Sequence, residues 1–213
     1  MKCAARHRLF VDMHGSYTPK GLYRTYPNLL TYEGVLGMEQ GARCKPENSN
    51  WLPFIRNAVG PMDFTPGSMF SAQPEDNRST GANPMGTGTR AYQMALYVVF
   101  ESPLQMLADN PVLYRREHPC TEFLAAVPTT WDSLRVLRAA CGREVVVARR
   151  KGDKWYVGGI TNDRPYTTEI ALDFLPAGRT FTMTSFEDGV NADLQATDYR
   201  KRVREVDAST VVK

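Results

Sequence analysis

Residues 14–39 read HGSYTPKGLYRTYPNLLTYEGVLGME, and this stretch decides how the first half of the chain is interpreted. It holds one histidine, two glutamates, two cationic residues and four tyrosines among four glycines and two prolines. Such a segment is too interrupted for a helix and too polar for a core strand. It predicts a loop that carries chemistry, because binding and catalytic groups sit on loops held by a rigid scaffold.

The segments around this loop predict alternating strands and helices. Residues 9–13 (LFVDM) form a short apolar run that predicts a buried strand ending at His14, and residues 28–32 predict the next strand. Residues 71–90 are rich in Ser, Gly, Asn and Pro and predict a functional or mobile loop. Apolar residues at helical spacing over 91–99 then predict a buried helix face ended by Pro103.

The pattern changes to strands from about residue 128. Apolar residues 145–147 and 155–157 flank Lys-Gly-Asp at 151–153, which predicts a β-hairpin. Residues 170–174 and 181–183 alternate apolar and polar side chains, which is typical of strands. We therefore predict an α/β region over residues 1–126 and an all-β domain over residues 127–213.

Composition and charge exclude several function classes. The 213 residues are 42% apolar and 23% charged, as in ordinary globular proteins. A net charge of +3 is too small to favour nucleic acid or an anionic membrane. The densest basic run, residues 200–204, predicts a solvated strand face. No run approaches the 18 or so apolar residues that a membrane span needs, so we expect no nucleic-acid partner and no membrane insertion.

The four cysteines are far apart in sequence and form no C-x-x-C pair. Zinc thiolate sites favour close ligand pairs, so the spacing argues against a zinc site. It leaves open whether any of them forms a disulfide. The first residues are too charged for a secretory signal, and the chain itself therefore indicates no location.

Together with VGPMDFTPG (59–67), VPTTWD (127–132) and ARRKG (148–152), the segment 14–39 closely resembles glycoside hydrolase family 97, a family of α-glucosidases and α-galactosidases. The resemblance covers almost the whole chain. It implies the C-terminal half of a (β/α)8 barrel followed by a C-terminal antiparallel β-sandwich. An independent small α/β fold is the alternative, because residues 1–126 offer too few strands for a closed barrel of eight. The resemblance favours the half barrel.

The resemblance also implies that the chain is a fragment. The missing N-terminal part of the same enzyme is expected upstream, and the β-sandwich is expected to be truncated. Family members are generally periplasmic or secreted. We expect the fragment alone to be inactive and to aggregate, because half a barrel leaves strand edges and apolar faces open.

Glycoside hydrolysis uses two carboxyl groups at the scissile bond, and the resemblance assigns one of them. Glu39 matches the family's general acid. Glu33 matches a position that binds calcium, and we expect Glu33 and Glu39 together to be metal ligands. Calcium accepts carboxylate oxygens in flexible geometry, which agrees with this assignment. By spacing alone, a solvated surface side chain is the favoured interpretation of Glu39, and it stays an alternative for Glu33.

Position 15 separates the two branches of the family. The inverting branch has a glutamate directly after the histidine, whereas this chain has Gly15. His-Gly matches the retaining branch, whose nucleophile is an aspartate on an earlier barrel strand, upstream of Met1. His14, Lys20, Arg24 and Asp63 are expected to contact the sugar, although a structural histidine or ion pairs that only fix the loop would give the same pattern.

The leading hypothesis is therefore the C-terminal part of a retaining, calcium-assisted α-glycosidase acting on an oligosaccharide or other α-glycoside. An α-galactosidase is favoured, and an α-glucosidase specificity stays open. The alternative from another class is a non-catalytic carbohydrate-binding or interaction protein derived from such an enzyme. A strand ending in aspartate, encoded in frame upstream of Met1, would distinguish the enzyme from the derived protein.

Overall fold

A computed structural model of the protein describes residues 1–81, 84–164 and 166–213. Short helices dominate the first 126 residues. They are α1 (Lys2–Arg6), α2 (Leu22–Thr25), α3 (Pro46–Ser49), α4 (Leu52–Ile55), α5 (Arg90–Val99), α6 (Pro111–Arg116) and α7 (His118–Ala126), with 3-10 segments at Met38–Arg43 and Asn57–Val59. Among the described residues, no helix has both the length and the apolar character needed to cross a membrane.

The strands divide into two groups. Among the described residues, four strands of two to four residues precede α7, and the longer strands follow it. They are β1 (Val11–Met13), β2 (Leu29–Tyr32), β3 (Ser71–Ala72), β4 (Gly86–Thr87), β5 (Ser133–Ala140), β6 (Glu144–Lys151), β7 (Lys154–Thr161), β8 (Ile170–Ala171), β9 (Phe181–Asp188), β10 (Tyr199–Val206) and β11 (Val211–Val212).

The first group forms parallel pairs. β1 pairs with β2, and β3 pairs with β4. A third extended segment runs beside β2, since the Asp63 amide donates a hydrogen bond of 2.8 Å to the Tyr32 carbonyl. Parallel strands end at the same edge of a sheet. Residues 14, 33 and 63, at the ends of these three neighbouring segments, therefore lie on one side. This placement is what brings the predicted site residues together.

The prediction of a buried strand over residues 9–13 is correct only for its second half. β1 begins at Val11 and its residues are half-buried. Leu9 is 58% exposed and Phe10 is 73% exposed. The reason is that β2, the partner of β1, pairs only from Val11 onward, so no neighbouring strand covers the two earlier side chains.

The predicted helix over 91–99 is confirmed as α5, with two differences. It ends at Val99, since the backbone of Phe100 is already extended, and not at Pro103. It is also buried on more than one face, because Tyr92, Gln93 and Leu96 are buried together with Met94, Val98 and Val99 of the predicted stripe. A helix enclosed on several sides cannot be recognised from a single apolar stripe.

The second group of strands is antiparallel. β5, β6 and β7 form a three-stranded sheet in that order, β9 pairs with β10, and β8 pairs with β11. The predicted hairpin is confirmed as β6–β7, with residues 152–153 in the turn. The basic run on β10 is exposed as predicted, with Arg202 and Arg204 lying 3.5 Å from Glu187 on β9.

The strand predicted over residues 170–174 is much shorter than its alternation suggests. Only Ile170 and Ala171 pair, with β11. Leu172, Phe174 and Leu175 are nevertheless buried, and the Leu175 amide donates to the Leu172 carbonyl in a turn. The apolar side chains therefore fill the core from a turn and not from a continuous strand.

One hydrophobic cluster joins the first region to the sheet of β5, β6 and β7. It contains α5, the extended segment at residues 62–64 and the inner faces of β6 and β7. Its buried members are Met38, Cys44, Met62, Phe64, Tyr92, Leu96, Val98, Val99, Phe100, Val145, Val147 and Ile160. Gly158 allows β7 to approach α5, since a Cβ atom there would lie 2.8 Å from the Val98 Cβ atom. The scaffold under the loops is therefore continuous with the antiparallel sheet.

A second cluster lies on the opposite face of β6. Val146 and Ala148 pack there with Ile170 of β8, Val206 of β10 and the turn residues Leu172, Phe174 and Leu175. The observed architecture is thus a region of parallel strand pairs followed by a sheet-rich antiparallel region. All four cysteines lie in the described part of the chain and are free thiols, with Cys44 and Cys120 buried.

Candidate active site

Four predicted site residues meet at the ends of the parallel strands. His14 follows β1, Glu33 follows β2, and Asp63 lies in the next extended segment. Glu39 is in the 3-10 segment that follows the loop after β2. The carboxyl ends of parallel strands are the usual place for active-site groups in α/β folds, and here they hold one imidazole and three carboxyl groups.

His14 lies at the centre of the group. Its Nε2 atom is 2.7 Å from Asp63 Oδ2, and its Nδ1 atom is 3.8 Å from one oxygen each of Glu33 and Glu39. The hydrogen bond with Asp63 raises the pKa of His14. The imidazole therefore has one nitrogen fixed by a buried carboxylate and presents the other to the two glutamates.

Asp63 is the fixed point of the site. Its side chain is fully buried. One carboxylate oxygen contacts His14, and the other accepts hydrogen bonds from the backbone amides of Thr65 at 3.2 Å and Met106 at 3.4 Å. A buried carboxylate with partners on both oxygens is held in one orientation, so it also fixes the ring of His14.

Glu33 is oriented by the backbone on the opposite side of the loop. Its Oε2 atom accepts a hydrogen bond of 2.7 Å from the Gly15 amide. Gly15 has a φ of +58°, a left-handed conformation that favours glycine. Position 15 therefore supplies a backbone donor to Glu33.

Glu39 is the most accessible of these carboxyl groups, with 46% of its side chain exposed. Partial burial raises its pKa, and the neighbouring Glu33 carboxyl raises it further, while His14 lowers it. A carboxyl group that keeps its proton more readily than usual, at an accessible position, is suited to donate that proton to a substrate.

The donors around Glu33 and Glu39 fit a hard cation. One ligand atom from each of Glu33, Glu39 and His14 lies within 4.8 Å of the others. Two neighbouring carboxylates repel each other, and a divalent cation between them removes that repulsion. Calcium takes six to eight oxygen ligands, so these two residues would supply only part of its coordination, and His14 is a less suitable ligand than an oxygen donor.

Asp12 is a site residue that the sequence interpretation missed. Its Oδ2 atom is 3.5 Å from His14 Nε2, and its buried Oδ1 atom has no hydrogen-bond partner within the described residues. Burial and the nearby Asp63 carboxyl raise the pKa of Asp12 to about 7. The signal was present in the sequence, because residues i and i+2 of a strand share one face and Asp12 is two positions before His14.

Arg56 was also missed. It is only 4% exposed, and its guanidinium donates to the carbonyls of Tyr32, Glu33, Gly34, Gly60 and Pro61 at 3.0–3.2 Å. It thereby joins the end of β2 to the turn that precedes Asp63. Its sequence context, an apolar run, gave no sign of this role.

Lys20 and Arg24 lie on the predicted loop, but the structure does not bring them to the carboxyl groups. The Lys20 ammonium lies over the Tyr17 ring, 5.7 Å from its centroid, and Arg24 is an exposed residue of α2. Within the described part of the chain, neither forms an ion pair with a carboxylate. Their predicted contact with a sugar stays a prediction.

The loop between β3 and β4 borders Glu39. A cavity of about 30 Å³ lies between them and is lined by Glu39, Ser79, Met85 and Asp109, among others. The loop is shorter than the predicted 71–90, because residues 71–72 and 86–87 form β3 and β4 and α5 begins at Arg90. Ala82 and Asn83 lie outside the described residues, and the functional or mobile character of the loop stays a prediction. The loop is therefore one wall beside Glu39.

Carboxyl groups at the ends of parallel strands, with an accessible and readily protonated glutamate, are typical of enzymes that cleave glycosidic bonds. The family model described as "Glycoside hydrolase 97" matches residues 1–35. The model described as "Glycosyl-hydrolase 97 C-terminal, oligomerisation" matches residues 130–213. The chain belongs to glycoside hydrolase family 97.

Individual relatives agree with this family. A "Retaining alpha-galactosidase" of Bacteroides thetaiotaomicron is 45% identical over 201 residues, which are 92% of this chain and 30% of the relative. A "Probable retaining alpha-galactosidase" of Streptomyces bingchenggensis is 36% identical over 172 residues, or 81% of this chain and 25% of the relative. The chain thus spans about a third or less of the length of these relatives.

Solved structures with the same fold as this chain include an enzyme of family 97. A family 97 enzyme from Pseudoalteromonas sp. strain K8 in complex with panose has a TM-score of 0.86 and 36% identity, covering 99% of this chain and 33% of that one. The same enzyme in complex with acarbose has a TM-score of 0.84 and 38% identity at the same coverage. A β-arabinopyranosidase has a TM-score of 0.78 and 29% identity.

Proposed function

We propose that this chain is the part of a retaining α-glycosidase, an α-galactosidase by its relatives, that carries the general acid Glu39. The observation that supports this most directly is the arrangement of Glu39 beside Glu33 and His14, each glutamate with an oxygen 3.8 Å from the same imidazole nitrogen. The two named relatives support the α-galactosidase specificity. An α-glucosidase specificity is the second candidate within the same reaction.

In this proposal Glu39 donates its proton to the leaving glycosidic oxygen as the bond to the sugar breaks. A second carboxylate attacks the sugar carbon and forms a covalent intermediate, and Glu39 then removes a proton from the water that hydrolyses it. That nucleophile would come from a segment preceding this chain in the longer enzyme. The raised pKa of Glu39, caused by partial burial and by Glu33, supports the first step.

The other site residues would hold and orient the substrate. Asp63 fixes His14 through the 2.7 Å hydrogen bond, and His14 would donate to a sugar hydroxyl or to Glu39. Lys20 and Arg24, at the exposed edge of the same loop, would contact more distant sugar units. The panose and acarbose complexes of the relative support an oligosaccharide substrate.

Calcium is the proposed cofactor, with Glu33 and Glu39 as ligands. When bound, it would supply a positive charge that stabilises negative charge near the scissile bond. The support is the convergence of the two carboxyl groups and the orientation of Glu33 by the Gly15 amide. His14 would remain a neighbour of the cation and not a ligand.

The proposed fold of the longer enzyme places residues 1–126 in the second half of a (β/α)8 barrel and residues 127–213 in an antiparallel β-sandwich. The parallel pairing of β1 with β2 and of β3 with β4 supports the barrel. The second hydrophobic cluster, on the face of β6 opposite to the first cluster, supports the sandwich. A periplasmic or secreted location is likewise a proposal that follows from the family.

A hybrid enzyme tests the function. This chain would replace the matching segment of the Bacteroides relative, and hydrolysis of an aryl α-galactoside and an aryl α-glucoside would be measured. We expect activity on the galactoside that Glu39→Gln removes. Glu122→Gln, at a residue of α7 remote from the site, is the matched control. An active hybrid that tolerates Glu39→Gln would contradict the role of Glu39.

The stereochemistry of the product tests the retaining mechanism. Gly15 offers no carboxylate to activate water on the far face of the sugar. Retention with a nucleophile and an acid about 5–5.5 Å apart is therefore expected. An NMR time course of the hybrid should show the α-anomer as the first-formed sugar, and β-sugar as the initial product would reject the assignment.

A further inference from the structure

Thr65 has an unusual backbone conformation next to the site. Its φ is +54°, a left-handed value that a β-branched residue rarely adopts. Its side chain is mostly buried, with the residue 8% exposed. Strain of this kind persists only where surrounding contacts fix it, and it is concentrated at functional sites. The contacts of Thr65 therefore indicate what the strained turn is for.

Three hydrogen bonds connect Thr65 with its surroundings. Its backbone amide donates to Asp63 Oδ1 at 3.2 Å, and its hydroxyl donates to the Phe64 carbonyl at 2.7 Å. The hydroxyl oxygen also accepts a hydrogen bond of 3.1 Å from the backbone amide of Glu39. One residue therefore contacts both the buried carboxylate and the proposed general acid.

The backbone before Glu39 is held against the same turn. The Met38 amide donates a hydrogen bond of 2.8 Å to the Phe64 carbonyl. Gly37 lies so close that a Cβ atom there would be 2.8 Å from that oxygen. The amides of Met38 and Glu39 thus each donate one hydrogen bond to residues 64–65, and the acceptor nearest to the Glu39 side chain is the hydroxyl of Thr65.

We infer that Thr65 is a positioning residue for the general acid: its hydroxyl fixes the backbone of Glu39, and its own amide connects that backbone to Asp63. The inference rests on the proposed role of Glu39. The left-handed turn is the geometry that lets one residue reach both partners, since the amide and the hydroxyl must point to Asp63 and to Glu39 at the same time.

Three substitutions of Thr65 distinguish the effect of its hydroxyl from the effect of its strained backbone. Thr65→Val keeps the shape and the strained backbone but removes the acceptor. Thr65→Ser keeps the acceptor, and Thr65→Gly relieves the strain while removing the hydroxyl. Thr31→Val on β2 is the matched control, because Thr31 is fully buried and its hydroxyl has no hydrogen-bond partner among the described residues.

The test measures kcat and KM of the hybrid enzyme on two α-galactosides, one with a poor leaving group that needs protonation and one with an activated leaving group that does not. We expect Thr65→Val and Thr65→Gly to lower kcat on the poor leaving group by on the order of tenfold, the size that one lost hydrogen bond allows. KM and the rate on the activated substrate should change little. Thr65→Ser should restore the rate, and Thr31→Val should match the parent.

Glu39→Gln separates failure of this inference from failure of the proposed function. If Glu39→Gln does not slow the poor leaving group more than the activated one, the role of Glu39 is wrong. If Glu39→Gln does so but Thr65→Val slows both substrates equally, Thr65 is only structural and the inference is overturned.

Amide hydrogen exchange in the hybrid enzyme gives a second measurement that does not depend on activity. Thr65→Val should accelerate exchange of the Glu39 amide, and Thr65→Ser should leave it protected. An unchanged rate in Thr65→Val would show that the hydrogen bond does not hold Glu39, which also overturns the inference.

Discussion

Residues 1–126 and residues 127–213 are stabilised in different ways. The second region has five strands of eight residues, which satisfy most of their backbone groups by pairing. The first region has strands of two to four residues, so many backbone groups need other partners. Buried polar side chains supply them, as Arg56 does for five carbonyls.

Gln93 shows the same principle in the core of the first region. It is fully buried on α5, and it accepts from the amides of Gly67 and Ser68 while donating to the Thr87 carbonyl. Buried backbone groups must be paired, and a region that displays reactive groups on loops cannot pair them through sheets. The comparison teaches that loop-borne function depends on single polar residues, whereas the sheet depends on apolar packing.

The substitution with the largest expected effect removes the activity of the first region and leaves its packing intact. Glu39→Gln in the hybrid enzyme should lower kcat on a substrate with a poor leaving group by roughly 10²- to 10⁴-fold, the usual contribution of a general acid. The melting temperature should be unchanged, because the Glu39 side chain is 46% exposed. Steady-state kinetics and thermal melting check both parts, and a large loss of stability would contradict the separation.

A core substitution in the second region should have the opposite outcome. Ile160→Ala on β7 removes a buried side chain, 2% exposed, from the cluster that also contains Phe64 and α5. It should lower the free energy of unfolding by about 2–5 kcal/mol. Val203→Ala on β10 is the control, since Val203 is 63% exposed. Urea denaturation measures both, and equal effects of the two variants would contradict the assigned core.

Removal of the proposed metal ligand Glu33 tests whether calcium binding in the first region depends on this single polar residue. Loss of even an outer partner of a metal site costs roughly 10- to 100-fold in affinity, so Glu33→Gln should weaken calcium binding by at least that amount. Isothermal titration calorimetry of the parent and the variant measures it. Glu187→Gln on β9 is the control and should bind calcium like the parent. The same affinity in all three proteins would remove Glu33 from the metal site.

The buried carboxyl group of Asp12 predicts a pH dependence of stability. Its pKa is raised from 3.8 to about 7 in the folded chain. The folded state therefore holds a proton that the unfolded state has lost, and the contribution of Asp12 to stability falls as pH rises from about 4 to 7. The melting temperature of Asp12→Asn should fall less over this range than that of the parent. Parallel pH profiles of the two proteins would contradict the prediction.

The smallest effect is expected on the exposed face of the second region. Arg202 and Arg204 both lie near Glu187, with half-exposed side chains. Exposed ion pairs contribute about 0–1 kcal/mol, so Arg202→Ala should change the free energy of unfolding by less than about 0.5 kcal/mol. A larger loss in urea denaturation would show that this face takes part in packing.

The sequence was sufficient where local pattern and structure obey the same rule. The apolar runs at residues 145–147 and 155–157, on either side of Lys-Gly-Asp, predicted the β6–β7 hairpin, because two short apolar runs around a turn signal are typical of paired strands. The charge density of the basic run on β10 likewise predicted a solvated strand face. Alternation failed for residues 170–174, where the apolar side chains are buried by a turn and pairing stops after Ala171.

The sequence by itself determined the family, the chemical types of the site residues and the division into a loop-rich and a strand-rich region. Tertiary structure alone decided that Asp12, Arg56 and Thr65 belong to the site, and that Lys20 and Arg24 lie apart from its carboxyl groups. The physical reason is distance along the chain. Arg56 binds carbonyls up to 24 residues away, and the hydroxyl of Thr65 meets an amide 26 residues away. A local sequence pattern does not show which distant backbone groups still need a hydrogen-bond partner in the folded chain.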